Sequence, residues 1–207
     1  MTRDFIIERL KAAGRTEHRR RHGFMPDQRG DHTLNTEDMR HPGPLTLAAV
    51  LVPLVDRPAS MTVLLTQRNA HLADHAGQIS FPGGRIEAED ASPQAAALRE
   101  AFEEVGLPAG RVAPVGRLDD YETRTGFLIV PIVGIVAPPF ALKPDPVKVA
   151  DVFEVPLSFI LDPRNHRIES RVYKGRERQF YVLLYEGRYI WGATAGMLVN
   201  LSDVLTG

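Results

Sequence analysis

The chain has 207 residues, 43% hydrophobic and 25% charged, and these globular proportions exclude collagen-like, disordered and disulfide-scaffold classes. It contains no cysteine, which removes disulfides, thiolate nucleophiles and Cys-based zinc or iron–sulfur centres and fits a reducing compartment. Lys and Arg number 25 against 26 Asp and Glu, so the formal charge of -1 gives no global field to recruit nucleic acid or an anionic membrane, and an anionic substrate must be met locally.

Residues 2–13 are predicted as a short helix, with Thr2 as its cap, Phe5, Ile6 and Leu10 near one face and Gly14 as its stop. The apolar run Phe5 to Ile7 is far short of a signal-peptide core, and no other run approaches a membrane span, so a cytoplasmic location is expected, without membrane or nucleic-acid partners. Residues 15–44 are polar and broken by Gly23, Pro26, Gly30, Pro42, Gly43 and Pro44, which reads as an irregular surface arm. From Leu45, LTLAAVLVPLV is a nearly continuous apolar run, the pattern of a strand buried on both faces, and Met61 to Thr66 repeats it.

A glycine-bearing loop, HLADHAGQISFPGGRIEAED, leads to Ser92-Pro93, read as N-cap and first residue of a helix that runs to about Val105 and ends at Gly106. Strands are predicted at Val112 to Leu118, Phe127 to Val136, Glu169 to Tyr173 and Gln179 to Tyr185, and a last helix from about Thr194 to Leu205. Interleaved strands and helices place the fold in the α/β or α+β class, with a mixed sheet covered on both faces.

Glu100, Glu103 and Glu104 stand at i, i+3 and i+4, so their carboxylates share one side of the predicted helix, with Ala96, Leu98, Ala101, Phe102 and Val105 opposite as the core contact. Three like charges repel, and only Arg99 is near enough to pair, with Glu103 four residues on. A carboxylate trio alone is ordinarily a solvated acidic face. Here Phe81-Pro82-Gly83-Gly84 precedes it, and glycine lets backbone amides approach an anion and accepts positive φ. A phosphate-cradling loop, oxygen ligands suited to Mg²⁺ or Mn²⁺, and Arg85 beside them describe a site for a pyrophosphate.

The segment from Gly84 to Leu107 resembles the Nudix box, G-x5-E-x7-R-E-U-x-E-E-x-G-U, with its end on Arg99-Glu100-Ala101-Phe102-Glu103-Glu104-Val105-Gly106-Leu107. The acidic position falls on Asp90, eight residues before Arg99, a lengthening that resembles the coenzyme A pyrophosphatase branch. Leu64-Leu65-Thr66-Gln67-Arg68, Gly77 and Phe81-Pro82-Gly83-Gly84 are similar to that branch's signature, L-L-T-x-R-[SA]-x3-R-x3-G-x3-[FP]-P-G-G, with Asn69 replacing the small residue and Ala73 the second arginine.

The resemblance implies an α/β/α sandwich with a mixed sheet over residues 45–207, preceded by an N-terminal helical arm over 1–44. It also implies hydrolysis, dependent on Mg²⁺ or Mn²⁺, of coenzyme A or its thioesters to 3',5'-ADP and 4'-phosphopantetheine. Glu100, Glu103 and Glu104 would hold the metal and Arg99 would steady them, all four being catalytic, while Arg68, Gly83, Gly84 and Arg85 would bind substrate. Hydrolysis of ADP-ribose or NADH, favoured by Ala73, and a non-catalytic nucleotide-binding module stay open, the second opposed by the complete glutamate set. A homodimer also stays open.

In the family a segment resembling that before Val152-Phe153 often carries a glutamate facing the metal, and Lys148 reverses the charge there. His71 and His75 have zinc-protease spacing, but Leu72 stands where that motif needs its glutamate, so zinc is rejected. The cluster His18-Arg19-Arg20-Arg21-His22 reads as a solvated segment, and Trp191 as packing against the sheet.

Overall fold

The run TLAAVLVPLV forms the central strand β2 (Thr46–Val55), whose side chains alternate between two separate cores: Ala49, Leu51 and Val55 line one, Val50, Val52 and Leu54 the other. The computed structural model describes residues 1–20, 29–35, 40–72, 75–173 and 175–207, without the side chains of 14–20 and 173. Ala73 and the side chains of the basic cluster at 18–22 therefore lie outside the described residues. Strand β2 runs parallel to β8 (Phe127–Val136) along its full length and antiparallel to β3 (Thr62–Arg68). β6 (Val112–Arg117) pairs with β8, and β9 (Val149–Pro156) with β3, both antiparallel. The short strands β1 (Arg29–Gly30), β4 (Ile79–Ser80), β5 (Gly83–Arg85) and β7 (Tyr121–Glu122) complete a mixed sheet of nine strands among the described residues.

Helix α2 (Pro93–Val105) covers one face, and its small residues Ala96, Ala97 and Ala101 let it sit close over Ala49, Leu51 and Leu64. The other face is covered by α1 (Arg3–Arg20), the short α3 (Leu157–Ile160), α4 (Ala193–Thr206) and a second sheet of β10 (Arg167–Tyr173), β11 (Arg176–Tyr185) and β12 (Arg188–Trp191). This is the layered α/β fold expected. Trp191 packs edge-on to Phe180 within the small sheet, ring centroids 5.5 Å apart. Among the described residues no helix is long and apolar enough to cross a membrane.

Several expectations change. Helix α1 passes through Gly14 to Arg20, since one interior glycine costs a helix only about 1 kcal/mol and the next proline is Pro26. Among its described side chains the buried ones are Ile6 and Leu10, one turn apart, whereas Phe5 is 42% exposed. Phe102 is 59% exposed rather than part of the core contact of α2. Strand β9 escaped notice because Asp151 and Glu154 interrupt its apolar pattern; Glu154 is tolerated because Arg57 and the Thr62 hydroxyl donate to it.

The segment expected to be an irregular arm contains β1, which pairs in parallel with β7. Tyr121 Oη donates to Asp31 Oδ1 at 3.1 Å, and Arg124 N to Asp31 Oδ2 at 2.9 Å. Glu122 accepts from Arg40 Nη1 and His41 N, and the Asn35 amide bonds both N–H and C=O of Gln179, extending the β11 edge as a strand would. The sequence does not display Asp31 and Glu122 as partners because the contacts span more than eighty residues.

Candidate active site

Ser92 Oγ accepts from Ala95 N at 3.1 Å and starts α2 as predicted, and Gly106 ends it in the left-handed region at φ 68. Over the intervening turns the three glutamates separate. Glu100 and Glu104 are 8% and 6% exposed and turn toward β5, whereas the Glu103 side chain is 46% exposed at the rim. Positions i and i+4 differ by about 40° around a helix and i+3 by about 60° the other way, so only the first pair shares an inward direction.

Strand β5 receives those two carboxylates. It pairs antiparallel with β2, Gly83 opposite Val50 and Gly84 opposite Ala49. A Cβ on Gly83 would stand 2.5 Å from the Ala49 carbonyl oxygen, and one on Gly84 would overlap the Glu100 carboxylate. Neither glycine has positive φ, so close approach, not left-handed backbone, is what excludes a side chain. The Gly83 amide is moreover engaged inside the protein, donating to Glu104 Oε2 at 3.3 Å.

Arg99 fixes the arrangement. Its Nε and Nη2 donate to the two oxygens of Asp90 at 3.0 and 2.9 Å. Its Nη1 reaches Glu100 Oε1 at 3.0 Å and Glu103 Oε2 at 3.4 Å, and Nη2 also donates to the Arg85 carbonyl at 3.1 Å. A bidentate guanidinium–carboxylate pair is rigid as well as strong. The Asp90 carboxyl is lowered because Arg99, and then the Glu87 amide, donate to it; Arg99 is raised, first by Asp90.

Burial pushes the Glu104 carboxyl up to about 7, and the charge of Glu100 pushes the same way. The Gly83 amide and the positive charges of Lys148 and Arg68 oppose it. Arg68, at the end of β3, hydrogen-bonds through its backbone amide to Gln78 O, which draws the 64–84 block together. Arg85 leans away: its guanidinium lies over the Phe127 ring, 5.8 Å from the centroid, while its carbonyl serves Arg99.

Among the described residues no three His, Cys, Asp or Glu side chains are grouped to hold a metal, so the predicted trio is not assembled as such. Two buried carboxylates, Glu100 and Glu104, nevertheless fit a hard cation, because Mg²⁺ commonly takes one or two protein carboxylates and completes its shell with water and substrate phosphate. Asp90 was visible only as a motif position; its role as the anchor of Arg99 needed the fold of the 85–90 loop. Asn69 and Lys148 came into view as departures from a pattern, and their mutual contact did not.

The sequence profile of the NUDIX domain matches residues 45–170. The chain is 39% identical over 169 residues, 82% of its own length and 85% of the other's, to a protein of Escherichia coli K12 described as the uncharacterized Nudix hydrolase NudL. Among solved structures it is similar to the Nudix hydrolase RenU from M. smegmatis, with a TM-score of 0.48, 23% identity, and 56% of this chain and 73% of that one covered. It is likewise similar to the NUDIX domain of Shewanella oneidensis NrtR, solved with ADP ribose, with a TM-score of 0.44, 22% identity, and 57% and 77% covered. With the profile spanning more than half the chain and a relative sharing this identity over most of both lengths, the chain belongs to the Nudix family and is a pyrophosphohydrolase.

Proposed function

We infer that the substrate is coenzyme A or one of its thioesters, cleaved at the pyrophosphate to 3',5'-ADP and 4'-phosphopantetheine or its acyl form. The observation that carries this reading is where the block from Leu64 to Gly84 ends up: β3 and β4 run antiparallel, and Arg68 at the end of β3 comes near enough for its charge to act on Glu104. A cation and two carboxylates then stand at one end of the sheet, where they can meet a substrate that carries several phosphates.

In the reaction a water oxygen adds to one phosphorus, and the bridging oxygen leaves with its electron pair on the other phosphoryl group. Glu100 and Glu104 would hold the divalent metal, with Glu103 reaching it from the rim, and the bound ion would neutralise phosphate charge and lower the pKa of water. Arg99, anchored by Asp90, holds Glu100 at a set distance from Glu104, and β5 sits against both carboxylates. Arg68 binds substrate anion opposite them.

Incubating the protein with Mg²⁺ and coenzyme A, dephospho-coenzyme A, ADP-ribose or NADH, followed by mass analysis of products, should give 3',5'-ADP and 4'-phosphopantetheine. Cleavage of ADP-ribose or NADH with coenzyme A untouched would replace this reading by the broader one that Ala73 favours, and binding without turnover would mean a nucleotide-binding module. Arg68→Ala should raise KM for coenzyme A more than for dephospho-coenzyme A, by the value of a charged hydrogen bond, about 1.5–3 kcal/mol. Equal loss on both ligands would place Arg68 on the pyrophosphate instead.

A further inference from the structure

We propose that Lys148 is a substrate-binding residue, a second cation that takes a phosphate oxygen beside Glu104, and that Asn69 is its positioning residue; the assignment rests on the pyrophosphate reading above. Two segments almost eighty positions apart meet here. The Asn69 side-chain amide donates to Pro146 O at 2.7 Å and Val147 O at 3.0 Å, and its backbone amide donates to Lys148 O at 3.0 Å. A primary amide with both side-chain protons on consecutive carbonyls fixes a backbone rigidly; an alanine there would serve neither carbonyl and a serine at most one.

The same segment is fastened from its other side to the helix that carries the carboxylates. Lys143 N donates to Val105 O at 2.8 Å and Asp145 N to Glu104 O at 2.9 Å. Lys148 N in turn donates to Asp145 O at 3.1 Å, and the Asp145 carboxylate accepts from Val147 N at 2.8 Å. Residues 143–148 thus bridge the end of α2 and the end of β3, and set a half-buried lysine between the backbone of Asn69 and the Asp145 turn that is bonded to Glu104. Val149, the next residue, is buried against α2 and stands opposite Arg68 in the β3–β9 pairing, so both cations belong to one end of the sheet. Acidic groups on the helix side and two cations on the strand side suit a ligand that carries adjacent phosphates and a metal.

The test is ADP binding to the full-length protein by calorimetry in EDTA, beside steady-state hydrolysis in Mg²⁺. Lys148→Ala should weaken ADP binding about tenfold or more and raise KM by a similar factor with kcat little changed, and Lys148→Arg should retain most of the affinity. Asn69→Ala should reproduce part of the KM increase, and the double variant should be no worse than Lys148→Ala alone, the non-additivity expected when one residue acts through the other. Unchanged ADP affinity and KM in Lys148→Ala, or a loss confined to kcat or to thermal stability, would overturn the proposal, as would a wild-type protein that binds no ADP at millimolar concentration. If the wild type binds ADP through Lys148 yet cleaves none of the panel, the pyrophosphate reading fails while this site stands. Cleavage insensitive to Lys148→Ala gives the reverse.

Discussion

At Gly84 the space of the missing side chain is occupied by the Glu100 carboxylate, so even a methyl group must push a site residue aside. Gly84→Ala should therefore lower turnover by about a hundredfold, the usual consequence of a misplacement near 1 Å, while the melting temperature changes little. Glu104 makes the opposite trade. Its ionised carboxylate is disfavoured by burial and by Glu100, so Glu104→Gln in EDTA at pH 8 should unfold at higher denaturant than wild type, by about 1–2 kcal/mol. The same variant should lose roughly a hundredfold or more in kcat, because the charge directed at the metal is gone. A variant that is both less stable and fully active would remove Glu104 from the site.

The α2 element depends on the loop before it. Asp90 takes two of the donors of Arg99, and without that pair the guanidinium can swing away from Glu100. Asp90→Asn keeps the shape and loses the charge; kcat should fall about tenfold with a smaller change in KM, the split expected of a residue that positions rather than binds. Farther along β9 from the site, Glu154 carries the complementary case. Arg57 and Thr62 hold it below the ordinary carboxylate range, so the folded state binds its proton more weakly than the unfolded chain. The stabilisation is present above the unfolded pKa, about 4.3, and is lost as pH falls through the lower folded value. Wild type should exceed Glu154→Gln by about 1 kcal/mol at pH 7 and lose that margin in acid, as urea titrations across the range would read.

Across the molecule the sheet is sandwiched between two cores that share no side chain among the described residues, and the described part of the N-terminal helix enters the one on the face opposite α2. Leu10 is fully buried, and a Cβ on Gly116 would stand 2.9 Å from its own Cβ, so β6 is shaped to admit it. Leu10→Ala should cost about 2–5 kcal/mol by chemical denaturation, although it lies outside the sequence block from Leu64 to Leu107 and on the sheet face opposite α2. A cost near zero would show that α1 is not integral to the fold.

Local chemistry made the central strands and α2 legible in the sequence. A run such as TLAAVLVPLV has nowhere to go but a doubly buried strand, and Ser92-Pro93 with Gly106 marks a helix by the hydrogen bonds its ends lack. The box from Gly84 to Leu107 was legible for the same reason, since its chemistry is packed into one continuous stretch. Tertiary structure decided which glutamates turn inward, because i, i+3 and i+4 diverge around the helix axis and only contact with β5 selects among them. It also decided the reason for Gly83 and Gly84, which lies in the β2 backbone and the Glu100 carboxylate, both distant in sequence. Asn69 and residues 145–148 belong to that class too: hydrogen bonds between segments this far apart leave no periodicity for a sequence to display, and only the pairing of β3 with β9 brings them together.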